Sequence, residues 1–235
     1  MEEGRPYCGN CGYNERFGPP AGDALAKVPP AHSSREYDER YRSQTPNAEL
    51  TANARESLKG RWEIAIGTFF LYFIIVSVIG AVPFLGSMAM AIVAGPFALG
   101  LSIFTLNLSR GTDPEVEQIF QGFSRFGVSF SAYWLVSIYV LLWSLLLIVP
   151  GIIKAFAYAL TLLIIADDES VTASQAISRS QELMRGNKLK LFQLGCRFIG
   201  WGLLSLLTFG VGFLWLAPYA AVSVAKFYDD VRGAP

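Results

Sequence analysis

Charge is scarce in this chain, and groups able to move protons are scarcer. Of 235 residues only 16% are Asp, Glu, Lys or Arg, against roughly a quarter in an ordinary soluble domain. There is one histidine, His32, and there are three cysteines, Cys8, Cys11 and Cys196. Three cysteines do not make a secreted disulfide framework. No Ser–His–Asp set, H-E-x-x-H helix or phosphate loop is present. The 19 basic and 19 acidic residues cancel, so no basic field points to nucleic acid. The N-terminus is polar, with Glu2, Glu3 and Arg5, and no signal peptide is visible in it.

What remains is apolar, and it is arranged in three deserts of charge. Between Trp62 and Leu108 the only charged residue is Glu63; between Phe126 and Ala166 it is Lys154; between Leu191 and Ala225 it is Arg197. Each desert is about twice the ~20 residues that one helix needs to cross a bilayer. Each also has a breaker near its middle: Pro83 and Gly86, Pro150 and Gly151, Gly210 and Gly212. Proline and glycine are best tolerated at helix ends. The expected spans are therefore residues 64–82 and 85–108, 130–149 and 152–166, and 191–207 and 211–225. The expected fold is all-α, with six transmembrane helices paired as three hairpins.

Basic residues set the orientation. Arg55, Lys59 and Arg61 precede the first hairpin, and Arg110 and Arg125 lie between the first and second. Arg179, Arg185, Lys188 and Lys190 lie between the second and third, and Lys226 and Arg232 follow the last. The positive-inside bias then places both termini and both long connections in the cytoplasm of a cell-membrane protein. Arg185, Lys188 and Lys190 are positioned to meet anionic lipid heads.

The connections repeat. "SLKGRW", "IFQGFS" and "LMRGNK" place Gly60, Gly122 and Gly186 at intervals of 62 and 64 residues. Each follows a short segment of helical periodicity. Val116, Ile119, Phe120 and Phe123 share a stripe, as do Ala173, Ala176, Ile177, Ser180, Leu183 and Met184. Thr172 and Gln175 have capping-box spacing. The second helices echo one another in "GPFALGLS", "KAFAYALT" and "APYAAVSV", and Pro96 to Arg110 has the spacing of Pro218 to Arg232. The threefold unit is thus a short interfacial amphipathic helix, a glycine that turns the chain, and a membrane hairpin. Its boundaries are residues 48–111, 112–170 and 171–235, after a flexible arm at 1–47 rich in proline.

"PGIIKAFAYAL", "ADDESVTASQAISRSQELMRGNKLKLF" and "FIGWGLLSLLTFGVGFLWLAPY" resemble an uncharacterised prokaryotic membrane family, domain of unknown function 975. The resemblance covers roughly residues 50–230. It implies an integral membrane protein with several spans, and it carries no activity or catalytic residue. Some members have a zinc-ribbon-like N-terminus.

"YCGNCGY" resembles half of such a ribbon, with Cys8 and Cys11 as ligands. A structural zinc needs four, and no second pair follows, so the motif is either one half of a site completed by another copy in a homo-oligomer or a degenerate knuckle. A redox pair is disfavoured, because no βαβ pattern surrounds it. Lys154 either contacts a solute in a pathway or snorkels to the outer interface beside the Pro150–Gly151 break. Arg197, two turns inside its helix, snorkels the opposite way. Small residues such as Gly195, Gly200, Gly202 and Ser205 suit close helix packing. The missing catalytic groups favour a non-enzymatic protein that organises lipids or binds partners. A transporter or channel for a small or amphiphilic solute and a membrane-embedded accessory of an enzyme are the alternatives.

Overall fold

The computed structural model describes residues 42–233, and every regular element among them is a helix. In chain order they are α1 (Asn47–Leu58), α2 (Trp62–Gly80), α3 (Leu85–Arg110), α4 (Gln118–Gln121) and α5 (Phe126–Leu146). Then follow α6 (Ile148–Tyr158), α7 (Thr161–Asp167), α8 (Ala173–Leu183), α9 (Lys188–Leu207) and α10 (Phe213–Arg232). Four stretches are long and apolar enough to cross a membrane: α2, α3, α5, and α6 with α7 in series. The third pair is equally long, 20 residues in each of α9 and α10, or ~30 Å at ~1.5 Å per residue. It is less apolar, because Lys188, Lys190 and Arg197 sit in α9 and Lys226, Asp229, Asp230 and Arg232 in α10.

Three antiparallel pairs form, α2 with α3, α5 with α6 and α9 with α10. Each pair closes on a glycine. A Cβ on Gly86 would lie 2.1 Å from the Ile79 carbonyl oxygen, one on Gly151 2.1 Å from Ser144 Oγ, and one on Gly212 2.5 Å from Ser205 Oγ. In all three pairs the residue met stands seven positions earlier in the chain. The second turn falls earlier than Pro150 suggested. Leu147 is the extended residue (φ −159°, ψ 137°), and Pro150 lies within the first turn of α6, where its missing N–H has no intrahelical role.

The helices also run further at their charged ends than the apolar pattern implied. α3 continues to Arg110 and α10 to Arg232, and each is closed by a left-handed glycine, Gly111 at φ +78° and Gly233 at φ +72°. A basic last turn followed by such a glycine is a favoured helix stop. The junction glycines do not all turn the chain. Gly60 and Gly186 have φ of +74° and +80°, but Gly122 is right-handed at φ −60°. It is small for another reason: a Cβ there would lie 1.9 Å from the Pro96 carbonyl oxygen.

The buried core is displaced toward the charged end. Ala54, Leu58, Phe104, Leu108 and Val222 form one cluster. Leu99, Leu106, Ile165, Ala176, Met184, Leu194 and Phe227 belong to another. The hairpin tips have no such cover: Phe84 is 87% exposed, Leu145 83% and Phe209 101%. The amphipathic helices α1 and α8 fill the charged end. Their apolar faces, Leu50, Ala54 and Leu58 in α1 and Ala176 and Ile177 in α8, are buried in the protein itself rather than left for the interface. The capping box of α8 forms, with the Thr172 N–H donating to Gln175 Oε1 at 3.0 Å.

Candidate functional site at the charged end of the bundle

The second helices of the three hairpins end close together, and their last turns carry the ionic network. Arg110 closes α3, Asp167 closes α7, and Asp229 and Arg232 lie in the last turn of α10. The Arg110 guanidinium donates to Asp167 Oδ1 at 2.6 Å and, through Nη2 and Nε, to Asp229 Oδ1 at 2.7 and 3.2 Å. Arg232 pairs with Asp167 Oδ2, which also accepts the Tyr228 hydroxyl at 2.8 Å. The Asp167 side chain is only 6% exposed. A carboxylate so buried is tolerated because two guanidinium groups and a hydroxyl occupy its lone pairs. Burial also pushes the Tyr228 phenol well above its usual pKa, so it remains a neutral donor.

Around this centre, arginines tie loops to helix ends. Arg125, just before α5, donates to the carbonyls of Ile165 at 2.6 Å and Val171 at 3.3 Å. Asp168 receives Ser170 N–H at 3.0 Å and Arg179 Nη1 at 3.1 Å. Burial alone would raise the Asp168 pKa, but the Ser170 hydrogen bonds and Arg179 outweigh it and hold the carboxyl below its ordinary range. Where α6 breaks into α7, Ser180 of α8 satisfies the freed backbone: its hydroxyl accepts Leu160 N–H at 3.3 Å and donates to the Ala157 carbonyl at 2.9 Å.

The segment before α1 is strapped to the same end. Ser43 and Thr45 hydroxyls donate to the Asp230 carboxylate, and Ser43 N–H donates to Asn187 Oδ1 at 3.0 Å. Lys190 Nζ donates to the Ser43 carbonyl at 2.9 Å and stands 3.9 Å from Asp230. Burial lowers the Lys190 pKa, and Asp230 only partly offsets this. Of the three cations placed by sequence beside lipid heads, Lys190 thus turns inward, Lys188 is partly covered and Arg185 is exposed.

Two cavities border α9. The one near the strap has a volume of about 600 Å³ and is lined by Arg42, Asn187, Lys190, Gln193 and Arg197 among others. The second, about 320 Å³, lies against Trp62, Trp201, Ser205, Thr208 and Trp215, with Arg55 also on its wall. Arg55 stacks over the Tyr219 ring at 5.6 Å. Lys154 lines neither cavity; its Nζ lies 5.0 Å from the centre of the Trp143 ring. Cys196 is free and exposed, while Cys8, Cys11 and His32 lie outside the described residues.

The sequence reading missed the Asp167 centre. In sequence Arg110 and Arg232 serve as topology markers, and Asp167 stands just past the end of the second desert. The available signal was the equal spacing from Pro96 to Arg110 and from Pro218 to Arg232, followed in both cases by glycine.

Membrane-length apolar helices, an uncovered apolar belt and a salt-bridged polar end define a helical membrane protein. The chain belongs to the family described as "Protein of unknown function (DUF975)", whose model matches residues 45–160 and 145–235. The Cys8–Cys11 motif precedes the matched residues. No curated protein and no solved structure matches the chain.

Proposed function

We propose that this is a six-span protein of the cell membrane, built from a threefold repeat, that organises lipids or partner proteins without catalysing a reaction. The observation that carries the reading is the division of the molecule into an uncovered apolar belt and a tightly bonded polar end. The third hairpin supports six spans. Trp201, Leu203, Leu207 and Phe209 are at least half exposed, at levels matching the tips of the other two pairs. The glycine seven residues after its contact at each tip supports the repeat, as do the matching Arg–Gly helix stops of α3 and α10. The charged end, rich in Arg and Lys, then faces the cytoplasm together with both termini. Arg110, Arg125, Arg179 and Arg232 at this end are occupied in holding helices and loops together, which favours a structural role over a chemical one.

Transport of a small or amphiphilic solute is the second reading, favoured by the 320 Å³ cavity. Cysteine accessibility tests the architecture. With the native cysteines removed, single cysteines replace Ser87, Phe209 or Arg185 in intact cells. Labelling of positions 87 and 209 but not 185 by a membrane-impermeant maleimide is the expected result. Protection of 209 with labelling of 87 removes the third hairpin from the membrane. Solute flux through reconstituted vesicles would replace the organising role with transport.

A further inference from the structure

The two cavities beside α9 are lined by one stripe of that helix. Leu189, Gln193 and Arg197 face the larger, and Trp201, Ser205 and Thr208 the smaller. Gln193, Arg197, Trp201 and Thr208 fall within about 80° of one another around the helix axis, one face at ~100° per residue, with Leu189 and Ser205 at its two edges. Chemistry changes along the stripe. Its first part is polar and cationic, with Arg42 and Lys190 joining Arg197. Its second part is aromatic and apolar, with Trp62, Trp201 and Trp215 around it.

We propose that this stripe holds one anionic phospholipid of the bilayer, its phosphate in the cationic cavity and an acyl chain in the aromatic one. Resting on the membrane reading above, the inference names a ligand for that protein. Charge complementarity selects the headgroup. Lys190 is already engaged with Ser43 and Asp230, whereas Arg42 and Arg197 have no hydrogen-bond or ion-pair partner among the described residues. A guanidinium within an apolar helix calls for an anion. Side chains lean toward the N-terminus of their helix, which carries the Arg197 guanidinium toward the strap and away from the tryptophans. Length is adequate too. From Gln193 to Thr208 the stripe runs ~22 Å, more than the ~15 Å of hydrocarbon in one leaflet.

The test uses the full chain in mild detergent, mixed with phosphatidylglycerol or phosphatidylcholine and read by native mass spectrometry. Phosphatidylglycerol is expected to bind in preference, with one lipid retained per chain. Arg197→Gln and Arg42→Gln should each weaken it roughly fivefold, as one cation–lipid contact implies. Lys59→Gln, which removes an exposed charge outside both cavities, should leave it unchanged. Trp201→Ala should weaken retention of both lipids. No preference in the unaltered chain, or equal losses for Lys59→Gln and the two arginine variants, overturns the site. If Arg197→Gln does not fold, Arg42→Gln alone decides by the same comparison. Alkaline extraction of membranes separates the two levels: a chain released into the soluble fraction ends the membrane reading, whereas an embedded chain without lipid preference ends only this proposal.

Discussion

Arg110 and Asp167 are 57 positions apart in the chain, yet the guanidinium of the first meets the carboxylate of the second at 2.6 Å. The pair joins the end of the first hairpin to the end of the second. Arg232, on the opposite carboxylate oxygen, brings in the third. One buried carboxylate therefore connects all three hairpins, and the three helices that carry these groups pack side by side, α3 against both α7 and α10.

Removing that carboxylate should loosen the whole charged end. Asp167→Ala leaves Arg110 and Arg232 without their shared partner and is expected to cost roughly 3 kcal/mol, at the lower end for a broken buried pair because Arg110 is partly exposed. Asp167→Asn should cost less, since an amide still accepts the Tyr228 hydroxyl. Thermal unfolding in detergent checks the order. A change in Asp167→Ala no larger than that of an exposed surface pair, ~0.5 kcal/mol, would show that the hairpins are joined by packing alone.

Acid should weaken the loop between α7 and α8. The Asp168 carboxyl lies below its ordinary value of 3.8, so its contribution to stability is fully present above that value and is lost as pH falls through the lower, folded one. Asp168→Asn should remove that part of the pH dependence and flatten the stability profile below about pH 4. Identical profiles for the two proteins in this window would contradict the assignment.

The junction glycines should respond differently to substitution. At Gly60 an alanine has nothing within 4 Å but must adopt φ +74°, costing about 1–2 kcal/mol; asparagine, which accepts that conformation more readily, should cost less. At Gly122 the backbone is ordinary, and the clash is with the carbonyl of Pro96 and the nitrogen of Gly100. Alanine there should be worse than at Gly60, and asparagine worse again. The reversed order of Ala and Asn at the two sites, read from melting temperatures, is the signature to look for.

Ser180→Ala should be disproportionately destabilising for a single hydroxyl. Ser180 is fully buried and serves both a donor and an acceptor at the break between α6 and α7, so its loss leaves two backbone groups unpaired, about 1–3 kcal/mol. Ser102→Ala, which removes only a bond to the carbonyl four residues back in its own helix, should be nearly neutral. Equal effects for the two would mean that water replaces the Ser180 hydroxyl.

Lys154 should prove a minor contributor. Its ammonium lies over the Trp143 ring at 5.0 Å, an arrangement worth about 0.5–1 kcal/mol at an exposed site. Lys154→Met should therefore change stability by no more than that. A vesicle flux that disappears in this variant would instead return Lys154 to a solute pathway.

Much of this architecture was legible because the bilayer is a simple solvent. It admits helices of about 20 apolar residues, so charge deserts and their central breakers were enough to locate the helices to within a turn or so at most ends. Breakers located the turns less well. Pro150 looked like the turn and is instead inside α6, since a proline in a first turn and one in a loop leave the same mark on sequence. The stripe of α8 was readable from 3.6-residue periodicity. What that stripe would cover was not, because an amphipathic face looks alike whether lipid or protein meets it.

By itself, the sequence determined that this chain is helical, that its helices suit a membrane, and which end of each hairpin carries charge. These follow from composition and period, properties local to each segment. Only the tertiary structure decided that Asp167 is shared by Arg110 and Arg232, that Gly122 is small for the sake of Pro96, and that Arg197 lies on one stripe with Trp201 and Thr208. Each of these depends on the approach of groups far apart in the chain. Local preferences leave such distances open until the helices have packed.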